Sequence, residues 1–403
     1  MQNDQIKQWL NLYLIPGIGS ATFLKLIARF GAPSEVLSAS EKALAEVVGK
    51  TISHRIAQYR EVVDLDNELR LIDKHNVTII TLDDPEYPLS LAEIYEPPLV
   101  LYCKGKLLEK DLRSIAIVGT RKISPYGTKV TEIFARGLSQ AGFTIVSGFA
   151  LGVDGIAHKT AIANGGRTVA FLGCGIDIIY PAQHQELWQQ IQSQGAIIST
   201  FPMGTKPTGN NFPVRNRFIS GFSLGTLVTE APLNSGAMIT AQYAVDQGKT
   251  VFAVPGPIGY ANSQGSHSLI RQGAKLVEHI SDILEEIPQL WKPETLSEPL
   301  QMPLASAIDI DKPDTTKSND EIQQKETKQV IKNKNEQPAG RSYPSPMNEK
   351  EKAIIDILNP QGSYVDEVAL ACHIPVSEAL SMLTIMEMKG LVKQFPGKKF
   401  AKA

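Results

Sequence analysis

Between Arg113 and Glu286 the chain alternates short, continuously apolar runs with segments of helical length, which limits its fold more than any other feature of the 403 residues. The runs are SIAIVG, FTIVSG, RTVAFLG, AIIST, LGTLVTE and TVFAVPG, and most lead into a glycine-containing turn. A strand that is apolar at every position, rather than at every second one, has no face to give to water. Such strands belong in a parallel sheet with helices on both sides. Right-handed crossovers then give an α/β, extended Rossmann-like, doubly wound architecture, with ligands bound beyond the carboxyl ends of the strands.

The flanking regions differ in texture. Residues 1–75 place Ile6, Trp9, Leu10 and Tyr13, then Leu24, Ile27 and Ala28, at helical spacing around the glycines of LIPGIGSAT. A helical domain of SAM or helix-hairpin-helix type is expected there. Its hairpin could grip a phosphate through backbone amides, but it holds no Arg or Lys, which favours a packing role. The core is assigned to 76–290 and begins with the strand-like VTIITL, Pro-rich turns and LVLYCKG. Residues 291–346 are rich in Lys, Glu, Asp, Gln, Asn, Ser, Thr and Pro. They cannot bury enough apolar surface to offset chain entropy, so a disordered linker is expected. Residues 347–403 regain periodicity as three helices and the hairpin LVKQFPGKKFA, the order of a winged-helix module.

The formal net charge is −2, so no global excess of cations announces a nucleic-acid partner. If DNA binds, the positive charge must be concentrated locally. Cys103, Cys174 and Cys372 form neither a CxxC nor a Cys/His ligand pattern, so no disulfide framework and no metal site are expected. MQNDQIKQWL lacks the basic and apolar regions of a secretory signal. No stretch approaches the roughly 18 consecutive apolar residues that span a bilayer. A cytoplasmic protein without membrane contact is expected.

Several motifs could carry chemistry. In VGTRKISPYG, Gly119 permits a tight turn, Thr120 offers a hydroxyl and Arg121 stands where the next helix begins. The motif reads either as an anion site, from helix amides plus a guanidinium, or as a plain strand-to-helix turn. It is not GxGxxG, which weakens a dinucleotide reading. In SGFALGVDGIAH, Ser147, Asp154 and His158 do not establish a nucleophilic triad, and an Asp–His pair bracing the helix is favoured. GCGIDIIYP reads as a structural crossover, with Tyr180 as a candidate stacking surface.

The densest constellation is KPTGNNFPVRNRFISG, with Lys206, Phe212, Arg215, Asn216 and Arg217. Arginines hold phosphates bidentately and an aromatic ring stacks on any base, the combination needed to bind single strands without sequence preference. A basic helix start with Phe212 buried is the alternative. In EAPLNSGAMITA, Ser235 and Gly236 precede a helix and could form an anion nest. The loops at the strand ends are expected to converge, collecting Arg121, Arg215, Arg217 and Lys206 into one pocket. Lysines 389, 393, 398, 399 and 402 in the last segment read either as a solvated tail or as a wing that contacts duplex DNA.

The ordered series VGTRKISPYG, SGFALGVDGIAH, GCGIDIIYP, NFPVRNRFISG, EAPLNSGAMITA, VPGP and SQGSHSLIRQGAK resembles the DNA-processing protein A (DprA/Smf) family across about Leu99 to Glu278. The resemblance implies a core that binds single-stranded DNA without hydrolysing it and needs no cofactor or catalytic residue. It also implies a homodimer that protects incoming DNA and loads the RecA recombinase during natural transformation. By motif, Arg121 and Arg217 would contact phosphates, with Lys206 and Phe212 in the same segment. The rival class is a Rossmann-like nucleotide hydrolase of the lysine-decarboxylase-like group, with Glu230 as acid and Arg217 as phosphate clamp. That group shows PGGxGT where this chain has PLNSGAM. A nicotinamide enzyme lacks its fingerprint and ribose acid here. A transcription regulator would rest on the C-terminal module alone.

Overall fold

The computed structural model describes residues 2–287 and parts of 354–402. They fall into two compact units, one within Met1–Asp314 and one within Thr315–Ala403. The linker expected over 291–346 lies outside the described residues, as do Lys389 and Lys398.

The first unit opens with six helices: α1 (Gln2–Tyr13), α2 (Ser20–Phe30), α3 (Pro33–Ser38), α4 (Glu41–Ala57), α5 (Tyr59–Val62) and α6 (Leu65–Lys74). Their apolar stripes share one cluster with the sheet, so that Trp9, Leu10, Phe23 and Leu26 pack in the same core as Val100, Tyr102 and Trp188. The glycine hairpin between α1 and α2 is tied down by Arg55 of α4, whose Nη1 donates to the Pro16 carbonyl at 2.7 Å. Glu68 of α6 accepts hydrogen bonds from Tyr102 Oη (2.7 Å) and the Met203 amide (3.0 Å), and burial raises its pKa.

Two strands follow, β1 (Thr78–Thr81) and β2 (Val100–Gly105), with α7 (Leu89–Ala92) between them. The six predicted apolar runs become β3 (Ser114–Val118), β4 (Thr144–Ser147), β5 (Thr168–Leu172), β6 (Ala196–Ser199), β7 (Gly225–Val228) and β8 (Thr250–Ala253). They pair in parallel, and a short β9 (Lys275–Leu276) adds in parallel to β8. The sheet order is β1-β2-β6-β5-β4-β3-β7-β8-β9. The two early strands extend the sheet antiparallel, Tyr102 of β2 pairing with Ser199 of β6.

Every residue of β3 is buried because the sheet is covered twice. Ile115 and Ile117 pack under α8 (Pro125–Gln140) and α9 (Val153–Ala163), with Val130, Phe134 and Ala157. Ala116 and Val118 face the opposite layer. Past α10 (Gln185–Gln194), that layer is built from α11 (Asn211–Phe222), α12 (Gly236–Asp246) and α13 (Gln264–Arg271). Helix α14 (Ile280–Leu284) returns to the first layer, with Ile280 and Ile283 in its core. The chain enters the middle of the sheet at β3, moves outward through β4, β5 and β6, then crosses back to place β7 on the other flank of β3. The connections reverse direction there, so a crevice opens at the carboxyl ends of β3, β4 and β7.

In the second unit, β10 (Ser363–Tyr364), α15 (Val365–Cys372), β11 (Val392–Phe395) and β12 (Lys399–Lys402) surround a core containing Ile354, Leu358, Val368, Leu383 and Phe400. The strands pair antiparallel in the order β10-β12-β11, which places a hairpin at LVKQFPGKKFA. Among the described residues no helix is long and apolar enough to cross a membrane, and no cluster of side chains could hold a metal ion.

Candidate nucleic-acid interface

A cavity of about 510 Å³ occupies the crevice at the strand ends. Its first wall is the turn after β3. Gly119 leaves no room for a Cβ, which would collide with the Val153 side chain and the Glu230 carbonyl. The Thr120 amide donates to that carbonyl at 2.7 Å, and the Val153 amide donates to the Thr120 carbonyl at 3.2 Å. The turn is thereby pinned between α9 and the end of β7, and Arg121 is thrust outward into solvent. Its guanidinium lies 5.1 Å from the centre of the Phe212 ring. Among the described residues Arg121 forms no ion pair.

The second wall is one face of α11, where Phe212, Arg215, Asn216 and Ile219 line the cavity at helical spacing. Arg215 is only 4% exposed. Its Nη1 donates to the carbonyls of Gly148 and Phe171, and its Nε donates to Asn216 Oδ1 at 3.1 Å. Desolvation lowers its pKa to about 10, against the pull of Asp154, so it stays charged at neutral pH. The Asp154 carboxylate accepts from the Gly148 and Ala150 amides at 3.1 and 3.2 Å. Burial raises its pKa, while Arg215 opposes the rise. Gly148 is required between them, because a Cβ there would stand 2.7 Å from both Arg215 Cζ and Asp154 Oδ2. This compensated buried pair forms the cavity floor, and Arg121 supplies the exposed positive charge beside it.

The third wall is the start of α12. Asn216 Nδ2 donates to the Gly236 carbonyl at 3.1 Å, which locks the helix start against α11. Ser235 takes an extended conformation, and no side chain caps the first turn of α12. Ser235, Gly236 and Ala237 line the cavity, so the amide end of the helix dipole faces it.

Two of the predicted cations are elsewhere. Arg217 does not line the cavity. Its Nη1 donates to Glu96 Oε2 at 3.2 Å, and its guanidinium lies 4.7 Å from the Phe218 ring centre. The expectation that Arg121 and Arg217 meet at one rim is therefore corrected, since α11 turns residue 217 away from the face that carries 212, 215 and 216. Lys206 is exposed on the loop before α11, and that loop lends Gly209 to the cavity instead.

The groups considered for catalysis form no relay: Ser147 and Asp154 are hydrogen-bonded neighbours, but His158 and Glu230 are engaged elsewhere. Ser147 Oγ donates to the Ile117 carbonyl at 2.6 Å. His158, fully buried, shares its Nδ1 with Thr168 Oγ1 at 2.6 Å, and desolvation lowers its pKa to about 3. Asp154 and His158 thus brace the fold separately rather than as a pair. The Glu230 carboxylate is 5% exposed and accepts the Ser124 amide at 2.9 Å at the start of α8, away from the cavity lining.

The family model described as DNA recombination-mediator protein A matches residues 78–288, which include every residue lining the cavity. The model of the DprA winged helix domain matches residues 337–398. The protein Smf of Synechocystis is 32% identical over 99% of this chain and 99% of its own length. The chain belongs to the DprA/Smf family. The DNA processing protein DprA of Streptococcus pneumoniae is 42% identical over 51% of this chain and 72% of its own. The solved structure of the S. pneumoniae protein covers 69% of this chain and 96% of that one, with a TM-score of 0.61 and 33% identity.

Within this DprA/Smf core the sequence reading missed the roles of Asp154, Ile219 and Thr240 in the cavity walls. Ile219 was within reach of the helical pattern, standing one turn beyond Arg215 and two beyond Phe212. Asp154 does carry a local signal, an acid in the first turn of its helix whose amide partners lie four and six residues earlier, but nothing local indicates that it faces Arg215.

Proposed function

We propose that this protein binds single-stranded DNA non-catalytically in the cavity at the β3–β7 switch point. The observation that carries the reading is Arg121, an exposed guanidinium with no ion-pair partner among the described residues, set beside the Phe212 ring and lining the same cavity as the uncapped start of α12. Guanidinium and helix amides suit a phosphodiester, and an aromatic neighbour suits an unpaired base. The engagement of Glu230 and Ser147 in structural hydrogen bonds supports a binding role over hydrolysis. In the cell this reading extends to a cytoplasmic homodimer that shields incoming strands and passes them to the RecA recombinase. The core 76–290 would hold the strand, and the hairpin lysines Lys399 and Lys402 of the 347–403 module would add duplex contact.

The test is a salt titration of binding to labelled oligo-dT. Wild type is expected to bind below micromolar and to weaken as salt rises. Arg121→Ala should lose about tenfold in affinity, a phosphate contact of roughly 1.4 kcal/mol. Arg217→Ala, made as a control away from the cavity, should change affinity by less than about threefold at temperatures where it is folded. Equal losses in the two variants would defeat the assignment. RecA filament assembly on the bound strand tests the delivery step.

A further inference from the structure

The helices of residues 2–74 line no part of the cavity, yet two of their side chains hold the loop that leads into it. That loop, residues 200–210, runs from β6 to α11. It carries Gly209 and delivers Phe212, both of which line the cavity. From α1, the Tyr13 hydroxyl donates to the Thr200 carbonyl. From α6, Glu68 Oε1 accepts the Met203 amide at 3.0 Å and the Tyr102 hydroxyl of β2 at 2.7 Å. Burial and the Glu68 charge raise the pKa of both tyrosine hydroxyls, so they remain protonated donors.

The other side of the loop is tied to the turn after β5. Asp177 Oδ1 accepts the Gly204 amide at 2.8 Å, and the Gly175 amide donates to the Thr205 carbonyl at 2.8 Å. The same turn touches the cavity wall, since a Cβ on Gly173 would lie 2.7 Å from Phe212 Cδ1. Helix α11 takes no side-chain cap from Asn210, so its start is seated by the loop rather than by its own first turn.

Glu68 is 6% exposed, and the other buried residue of α6 is Ile72. An apolar side chain at position 68 would pack without the desolvation cost of a carboxylate. What the carboxylate adds is a grip on one backbone amide, six residues before Gly209.

We propose that Glu68 is a positioning residue for DNA binding. With Tyr13 it fixes the 200–210 loop, and through that loop the wall of Gly209 and Phe212, so the helical domain sets the affinity of a cavity it does not line. The inference rests on the single-strand reading above.

The experiment measures binding of the full chain to labelled oligo-dT in a salt series, at temperatures where melting curves show each variant folded. The helical domain cannot simply be deleted, because Trp9 and Phe23 share a core with Tyr102 and Trp188. Glu68→Ala is expected to weaken binding by about fivefold, the scale of one lost hydrogen bond. Its salt slope should match wild type, because no cation is removed. Glu68→Gln keeps the accepting oxygen and should bind within about twofold of wild type. Tyr13→Phe, which removes one hydroxyl, should weaken binding by about two- to threefold. Asp111→Ala removes another buried carboxylate, one paired with Arg167 and absent from the cavity lining, and should cost stability without affinity.

The proposal is overturned if folded Glu68→Ala binds as wild type does, if Glu68→Gln is as weak as Glu68→Ala, or if Asp111→Ala loses as much affinity. Should Glu68→Ala fail to fold, Tyr13→Phe decides, and unchanged affinity there overturns the proposal. An Arg121→Ala variant with undiminished affinity and salt slope would instead overturn the single-strand reading on which the role of Glu68 depends.

Discussion

Arg215 and Arg217 stand two positions apart on α11, and because each residue of a helix turns by about 100°, their side chains leave the axis about 200° apart. That phase places Arg215 with Phe212, Asn216 and Ile219 on the cavity, and Arg217 against Glu96. The sequence holds this information, because NFPVRNRFISG can be read as a helix, and on a helix residues two apart in the chain face opposite ways. His158 shows the opposite limit. Nothing in the sequence indicates that its imidazole is fully buried, or that burial pushes its pKa to about 3. An unfolded histidine takes up a proton near pH 6.5, whereas the folded one stays neutral, so the native state loses stability as pH falls from about 6.5 towards 3. At pH 5 this amounts to about 2 kcal/mol from one such group. The lowered pKa of His184 acts in the same direction, and the raised pKa of Asp154 acts in the other. His158→Gln is expected to lower stability at pH 7.5 by about 1–2 kcal/mol through the Thr168 contact, and to flatten the fall in Tm between pH 7.5 and 5. Melting curves with the same slope as wild type would remove His158 from the acid response.

At the scale of elements, the loops on the two ends of the sheet do different work. The carboxyl ends carry the cavity, a placement that follows from parallel strands and a switch point. The amino ends carry a clasp with no such signature. Asp111, 1% exposed in the turn Glu109–Leu112, accepts from Arg167 Nε and Nη2, both at 2.7 Å. The same carboxylate accepts from Thr144 Oγ1 at 2.8 Å and the Leu108 amide at 2.9 Å. Thus one carboxylate joins the turn before β3 to the starts of β4 and β5. The partners Asp111 and Arg167 are 56 residues apart, so no spacing rule could have paired them. Removing one partner of a buried ion pair strands the other, at a cost of about 3–5 kcal/mol. Asp111→Ala is therefore expected to unfold about 3 kcal/mol more easily in urea, while keeping oligo-dT affinity at temperatures where it remains folded, since the clasp is at the far ends of the strands. A parallel loss of binding and stability in the folded protein would show that the two ends are coupled.

For the whole molecule, the alternation of apolar runs made the parallel sheet legible, but not its antiparallel extension. VTIITL and LVLYCKG are as apolar as the other runs, and the connection between them is long enough for a crossover, but Pro85, Pro88, Pro97 and Pro98 leave it only the four-residue α7 and no covering helix. Composition was equally silent about the site, because a net charge of −2 hides a local concentration of cations. That concentration is small: one exposed arginine, a compensated buried arginine and the start of one helix. A strand held this way neutralises about two or three phosphates in the core, giving a slope of log affinity against log salt of about −1.4 to −2.1. Arg121→Ala should reduce the magnitude of that slope by about 0.7. Removal of everything beyond residue 290 should leave both the slope and the oligo-dT affinity within about twofold of the full chain, because each cavity wall lies within 118–240. The same truncation should weaken binding to a duplex of equal length if the hairpin of β11 and β12 contacts paired DNA, since its lysines are lost with it. A full chain whose slope is far steeper than the core's on single strands would move the main electrostatic contact out of the cavity and into the C-terminal unit.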